Sequence, residues 1–247
     1  MKKKALTILV VLLPLLVSAQ ITDTEQQKKN LMFVADLGYE HTEANGHLVL
    51  SQMRIKWDAA KWFKLTGGLK VTTKNIYYFT ARGDFKWNID DTKYLGLRNQ
   101  YIYNIYANNK SLSTMNLNMS LAADYKMDYL YVATGVMWNY KMPLVKEEAE
   151  NIQNLGWQCS WLYEIQIWAR PKKADWNIAV EFGNMHSFSM QDWLQPSFTL
   201  RGTHTLMPRY GTLPFNIIWE AECRTKITNN TMIYSGANAK IGIECYF

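Results

Sequence analysis

Ala237-Asn238-Ala239-Lys240-Ile241-Gly242-Ile243-Glu244-Cys245-Tyr246-Phe247 closes the chain, and the way it alternates decides the fold. Ala237, Ala239, Ile241, Ile243, Cys245 and Phe247 are apolar at every second position, while the residues between them are polar, small or amphipathic. Successive side chains of a β-strand point to opposite sides, so a period of two predicts a strand with one apolar face.

The same pattern recurs along the chain. Leu31, Phe33, Ala35, Leu37 and Tyr39 alternate with Asp36, Gly38 and Glu40. Val49, Met53, Ile55 and Trp57 stand against Gln52, Arg54, Lys56 and Asp58, and Phe79, Ala81, Phe85 and Trp87 against Thr80, Arg82, Asp84 and Lys86. Residues 115–126 keep the period almost unbroken, and further repeats fall in residues 129–141, 157–170, 176–183, 198–206 and 217–226. Spread over residues 31–247 at about 18 residues per strand and connection, the repeats predict an all-β, twelve-stranded antiparallel barrel.

The bulkier set belongs outside, because a closed barrel has less room within than without. An outer surface of Trp, Phe and Leu on that scale is tolerable only in lipid. Strands of about ten to thirteen residues match a tilted crossing of a bilayer. No apolar run after residue 19 is long enough for a membrane helix, so strands must do the crossing. Residues 89–92, 127–128 and 171–175 form one series of short connections. The alternating series, residues 107–114, 143–156, 187–194 and 227–236, is mostly longer, as outer loops are.

With its terminal aromatic and the Lys240, Gly242, Phe247 spacing, the last strand resembles the closing strand of Gram-negative outer-membrane β-barrels. Cys245 stands where such strands usually carry another bulky residue. The resemblance implies an outer-membrane location and an assembly signal, Lys240, Gly242 and Phe247, read by the barrel-insertion machinery. At the other end Lys2, Lys3 and Lys4, an apolar run and Val17-Ser18-Ala19 predict a signal peptide over residues 1–19, cleaved after Ala19. Residues 20–30 read as a polar periplasmic tail ahead of a barrel domain at 31–247. Half of the net charge of +6 belongs to the leader lysines, which leaves little support for nucleic acid as a partner.

The opposite phase fills the lumen with charge: Arg54, Arg82, Asp84, Arg98, Asp124, Glu164, Glu181, Arg201, Glu220, Glu222, Arg224, Lys240 and Glu244, with Lys56, Lys64, Lys70, Lys86 and Lys226 beside them. Charges of both signs in a narrow lumen must pair. Two readings stay open, a narrow channel for small polar solutes and a structural or partner-binding barrel of an envelope complex. A third, resembling the outer-membrane lipid hydrolases, rests on His186 beside Ser187, but the His-x-Ser arrangement of those enzymes is broken by Phe188. We expect no enzyme, no catalytic residue and no cofactor. His41 and His47 bracket the first outer loop, and two histidines without a further ligand are not a metal site. Cys159, Cys223 and Cys245 read as lipid-facing apolar residues. Outer-membrane lipid is the expected surrounding partner. Residues 146–155 are helix-favouring and predict a short helix in the 143–156 loop, a docking place for an envelope partner.

Overall fold

A strand that alternates along its whole length has two chemically different faces, and pairing many such strands edge to edge leaves the open edges of the sheet to be dealt with. In a computed structural model of this chain, closure does so. The structure describes residues 30–43, 46–145, 150, 152, 154–169, 175–185, 195–206 and 215–247.

Twelve strands follow one another around the wall: β1 (Leu31–Thr42), β2 (Gly46–Ala60), β3 (Phe63–Thr72), β4 (Ile76–Asn88), β5 (Lys93–Tyr106), β6 (Thr114–Lys126), β7 (Leu130–Pro143), β8 (Gly156–Ala169), β9 (Trp176–Gly183), β10 (Ser197–Leu206), β11 (Phe215–Thr228) and β12 (Thr231–Tyr246). Each pairs antiparallel with its neighbours in sequence, and β12 pairs with β1 to close the barrel. The predicted strand number and up-and-down order are those observed. Leu31, where β1 begins, and Phe247 lie at the end of the barrel with the short turns, where the Phe247 N–H donates to the Leu31 carbonyl at 2.8 Å. This is called the turn end below, and the opposite rim the loop end.

The closing seam is built on close approach. A Cβ on Gly242 would lie 2.3 Å from the Ala35 carbonyl oxygen and 2.6 Å from the Asp36 Cβ, so glycine alone lets β12 reach β1 at that register. Gly242, read from sequence as part of an assembly signal, therefore has a packing function in the folded wall.

Bulky apolar side chains face outward. Leu37, Trp161, Ile167, Val180 and Ile241 are each more than half exposed on the bare barrel. At the turn end Trp62, Phe63, Phe85 and Trp87 form a run of stacked and tilted rings, and at the loop end Tyr140 and Trp157 lie 4.9 Å apart. Amphipathic rings at both rims of an apolar belt form the girdles that anchor a barrel at the two water interfaces.

Two expectations need correction. Residues 227–236 are not a long loop: β11 and β12 continue to a two-residue turn, Asn229-Asn230, with φ of 50° and 60°. Asparagine tolerates left-handed backbone and suits the tight hairpin turn whose twist matches the flanking strands. A register shift between Arg224 and Thr225 breaks the period of two, which is why the sequence there does not read as strand. Lys226, expected in the lumen, lies beyond this shift and is exposed. The interior is also less uniformly polar than its alternation suggests. Leu48, Leu50 and Ile76 toward the loop end, and Ile102, Met137 and Leu162 nearer the middle, occupy the inward phase and are buried. The leader, nearly all of the 20–30 tail, Arg170, and most of residues 146–155 with their expected helix lie outside the described residues.

Candidate functional site

Alternation aims the charged side chains at the lumen, and the register of each strand pair then decides which charges meet. Asp36 on β1 meets Arg54 on β2 at 3.0 Å. Glu40, two inward positions nearer the loop end, is reached from two sides, by Lys70 Nζ of β3 at 2.6 Å and Arg224 Nη1 of β11 at 2.7 Å. Arg224 also holds Glu222 at 2.9 Å, and Lys240 holds Glu220 at 2.7 Å. This cluster ties β3, β1 and β11 together across both strands that intervene, β2 and β12. Further round the wall Arg201 pairs with Glu181 and donates to Gln166 at 3.0 Å, while its guanidinium lies over the Trp168 ring. Gln166 in turn donates to Glu164. Glu244 accepts from Asn216 at 3.0 Å and from the Tyr246 hydroxyl.

Arg82 and Arg98 share one carboxylate. The Nε of each donates to a different oxygen of Asp84, both at 2.7 Å. Asp124 on β6 accepts from the Tyr131 hydroxyl at 2.7 Å, and Lys86 Nζ sits 3.8 Å from the centre of the Tyr94 ring. These groups line a cavity of about 740 Å³ at the turn end. Above it the inward side chains of Asp36, Glu40, Gln52, Gln100, Asn118 and Glu222 are all buried. The lumen thus has a vestibule at the turn end below a middle of buried, mostly polar side chains.

All thirteen lumen charges singled out in the sequence lie on the inward phase, but the structure does not join them into one network. It divides them among the Glu40 cluster, the Asp84 pair, the Arg201 group and separate contacts at Asp36, Asp124, Glu220 and Glu244. The division has a sign. Strands β2 to β5 turn Arg54, Lys56, Lys64, Lys70, Arg82, Lys86 and Arg98 inward, against Asp58 and Asp84. Strands β8 to β12 turn Glu164, Glu181, Glu220, Glu222 and Glu244 inward, against Arg201, Arg224 and Lys240. One wall is net cationic and the facing wall net anionic, which sets up a field across the lumen. Tyr78, Tyr94 and Tyr131 belong to this interior and went unnoticed in the sequence, because tyrosine occurs in both phases of the strands.

His41 and His47 do meet across the first hairpin, with ring centroids 4.6 Å apart on the outer face. Tyr234 stacks on His41 and its hydroxyl lies 3.0 Å from His41 Nδ1, while the Tyr39 hydroxyl bonds His47. Cys159 and Cys223 are free and exposed on the outer face, and Cys245 is half-buried. Of the assembly-signal residues, Lys240 is engaged with Glu220, Gly242 packs the seam and Phe247 closes it through its backbone. His186 and Ser187 lie outside the described residues.

No protein-family model matches this chain, and no curated protein matches it. Among solved structures the chain is similar to the NanC porin, at 8% identity and a TM-score of 0.53, with 87% of this chain and 100% of that one covered. It is also similar to the translocator domain of the autotransporter NalP from Neisseria meningitidis, at 11% identity and a TM-score of 0.44, covering 100% and 98% of the two chains. A third is the Acinetobacter baumannii outer membrane protein Omp33, at 8% identity and 0.42, covering 90% and 100%. The likeness to NanC is one of fold. It agrees with the closed barrel and its apolar belt, which point to the bacterial outer membrane.

Proposed function

We propose that this barrel is a narrow conduit for the passive passage of small polar solutes across the outer membrane. The observation that carries the reading is the turn-end vestibule of about 740 Å³, where Arg82, Asp84, Lys86, Arg98 and Asp124 and the Tyr94, Ser120 and Tyr131 hydroxyls line the space together with the Trp62, Phe63 and Phe85 rings. A lumen of this kind offers hydrogen bonds in place of a solute's water shell. The transverse field orients solutes that carry a dipole. Passage beyond the vestibule runs past the buried side chains of the middle, so the conductance expected is small.

Planar-bilayer recording of the purified protein tests the proposal. Discrete steps, altered in ion selectivity when Arg82 and Arg98 are neutralised, are the expected result; a bilayer that stays at leak sinks it. The buried middle favours a second reading, a packed structural barrel that conducts nothing, and the same recording separates the two. A partner at the 143–156 loop belongs to that second reading, and a lone band after pull-down from outer-membrane extracts counts against it. A lipid hydrolase rests on His186 and Ser187 alone, and unchanged lipid profiles on overproduction would leave it without support. Our reading of the terminal strand as the handle of the assembly machinery is tested by deleting Phe247, which should leave the chain unassembled in cells while it still refolds in detergent.

A further inference from the structure

In the turn-end vestibule each carboxylate is engaged by at least one donor, while the terminal amines of its two arginines are not engaged. Asp84 spends both oxygens on the Nε atoms of Arg82 and Arg98, and Asp124 receives the Tyr131 hydroxyl. The terminal amines of the two guanidiniums bond to nothing among the described residues, and none of them is sealed from water. Arg82 and Arg98 are 20% and 29% exposed, and both line the cavity. Lys86 stands at the same cavity with its ammonium over the Tyr94 ring instead of on a carboxylate. Counted over the whole lining, five cations face three carboxylates.

Two guanidiniums on one carboxylate leave a positive charge over, and a partly buried surplus charge is costly unless something completes it. A guanidinium whose Nε is engaged still presents its terminal amines to an incoming oxygen pair. The cavity is much larger than a single ion and falls in the range of small-molecule sites, about 300–1,000 Å³. Ser120, Tyr94 and the Asp124 carboxylate lie on the same lining, where they can bond a solute's hydroxyl groups.

We infer that the vestibule is a binding site for a small hydroxylated solute bearing an oxyanion, a carboxylate or a phosphate monoester, held by the free amines of Arg82 and Arg98 with Lys86 beside them. This rests on the conduit reading for its purpose, naming the solute class, but the binding step itself does not require current to flow. Asp84 is then a positioning residue that fixes the two guanidiniums and competes with the guest for them.

Calorimetric titration of the full, detergent-folded chain with gluconate, glucose 6-phosphate and glucose tests the site. Binding of one or both acids, with glucose at least tenfold weaker, is expected; binding of gluconate alone assigns carboxylates, and of the phosphate ester alone phosphomonoesters. The double variant Arg82→Gln/Arg98→Gln should weaken acid binding by about tenfold or more, the usual effect of losing charge-assisted bonds. Asp84→Asn should tighten it, an outcome that misfolding cannot imitate. Failure of both acids to bind, glucose binding as well as the acids, or affinity that ignores all three substitutions overturns the inference. Binding without bilayer conductance removes only the conduit, whereas conductance without binding removes only this site.

Discussion

Glu40→Gln is the substitution that bears hardest on the account of the interior. Glu40 is buried, and its two oxygens take Lys70 at 2.6 Å and Arg224 at 2.7 Å. Arg224 keeps a second carboxylate, Glu222 at 2.9 Å, but Lys70 is left with the Tyr78 ring, 4.9 Å away. Removing one partner of a buried pair costs about 3–5 kcal/mol, mostly through the charge left behind. Glutamine retains one acceptor, which places the expected loss near 3 kcal/mol. For a chain of this size that corresponds to roughly 6–12 °C in unfolding temperature. Urea unfolding in phospholipid vesicles, followed by tryptophan fluorescence, measures it. Because the cost is assigned to the stranded ammonium, adding Lys70→Met should recover most of it. If the double variant is no more stable than Glu40→Gln, or if Glu40→Gln costs no more than Asp58→Asn at the exposed Lys64–Asp58 pair, the reasoning is wrong.

Gly242→Ala should weaken the closing seam by about 1–3 kcal/mol, the usual effect of forcing atoms into a filled site, whereas Gly67→Ala, with nothing within 4 Å of its added carbon, should be nearly silent. The fraction of chain that keeps folded mobility on a gel after graded heating compares the two. In the β4–β5 turn the Asp90 carboxylate accepts from the Thr92 hydroxyl and from the backbone N–H groups of Thr92 and Lys93, which together hold its pKa down at about 2. A pKa lowered on folding adds stability that is fully present above the unfolded value, near 3.9, and is lost as the pH falls toward 2. The stability difference between the native chain and Asp90→Ala, followed from pH 7 downward, should therefore be constant until about pH 4 and shrink below it. In vesicles an uncharged maleimide should label Cys159 and Cys223 faster than a charged one, with Cys245 slowest; preference for the charged reagent would place the outer face in water.

Much of this was written into the chain because a period of two survives any choice of partner. Met115, Leu117, Met119 and Leu121 against Asn116, Asn118, Ser120 and Ala122 can form only a two-faced strand. Legibility failed wherever the period did. Leu48-Val49-Leu50 puts apolar side chains on both faces, so burial of Leu48 and Leu50 inside the lumen was not visible. The hairpin of β11 and β12 was hidden by its register shift, and its Asn229-Asn230 turn looked like a loop. Charges could be assigned to the lumen one at a time, but not to one another. Glu40 and Arg224 are 184 positions apart and meet only because β12 closes on β1.

By itself the sequence determined that the chain makes amphipathic strands, about how many there are, and which set of side chains must meet lipid, since these follow from local alternation and from residue size. The tertiary structure alone decided which charges are neighbours, that Asp84 leaves two guanidiniums half-occupied in the lining of a cavity, and that polar side chains in the middle of the lumen are buried. Those outcomes depend on register and closure, which fix distances between residues far apart in the chain, and no local pattern carries that information.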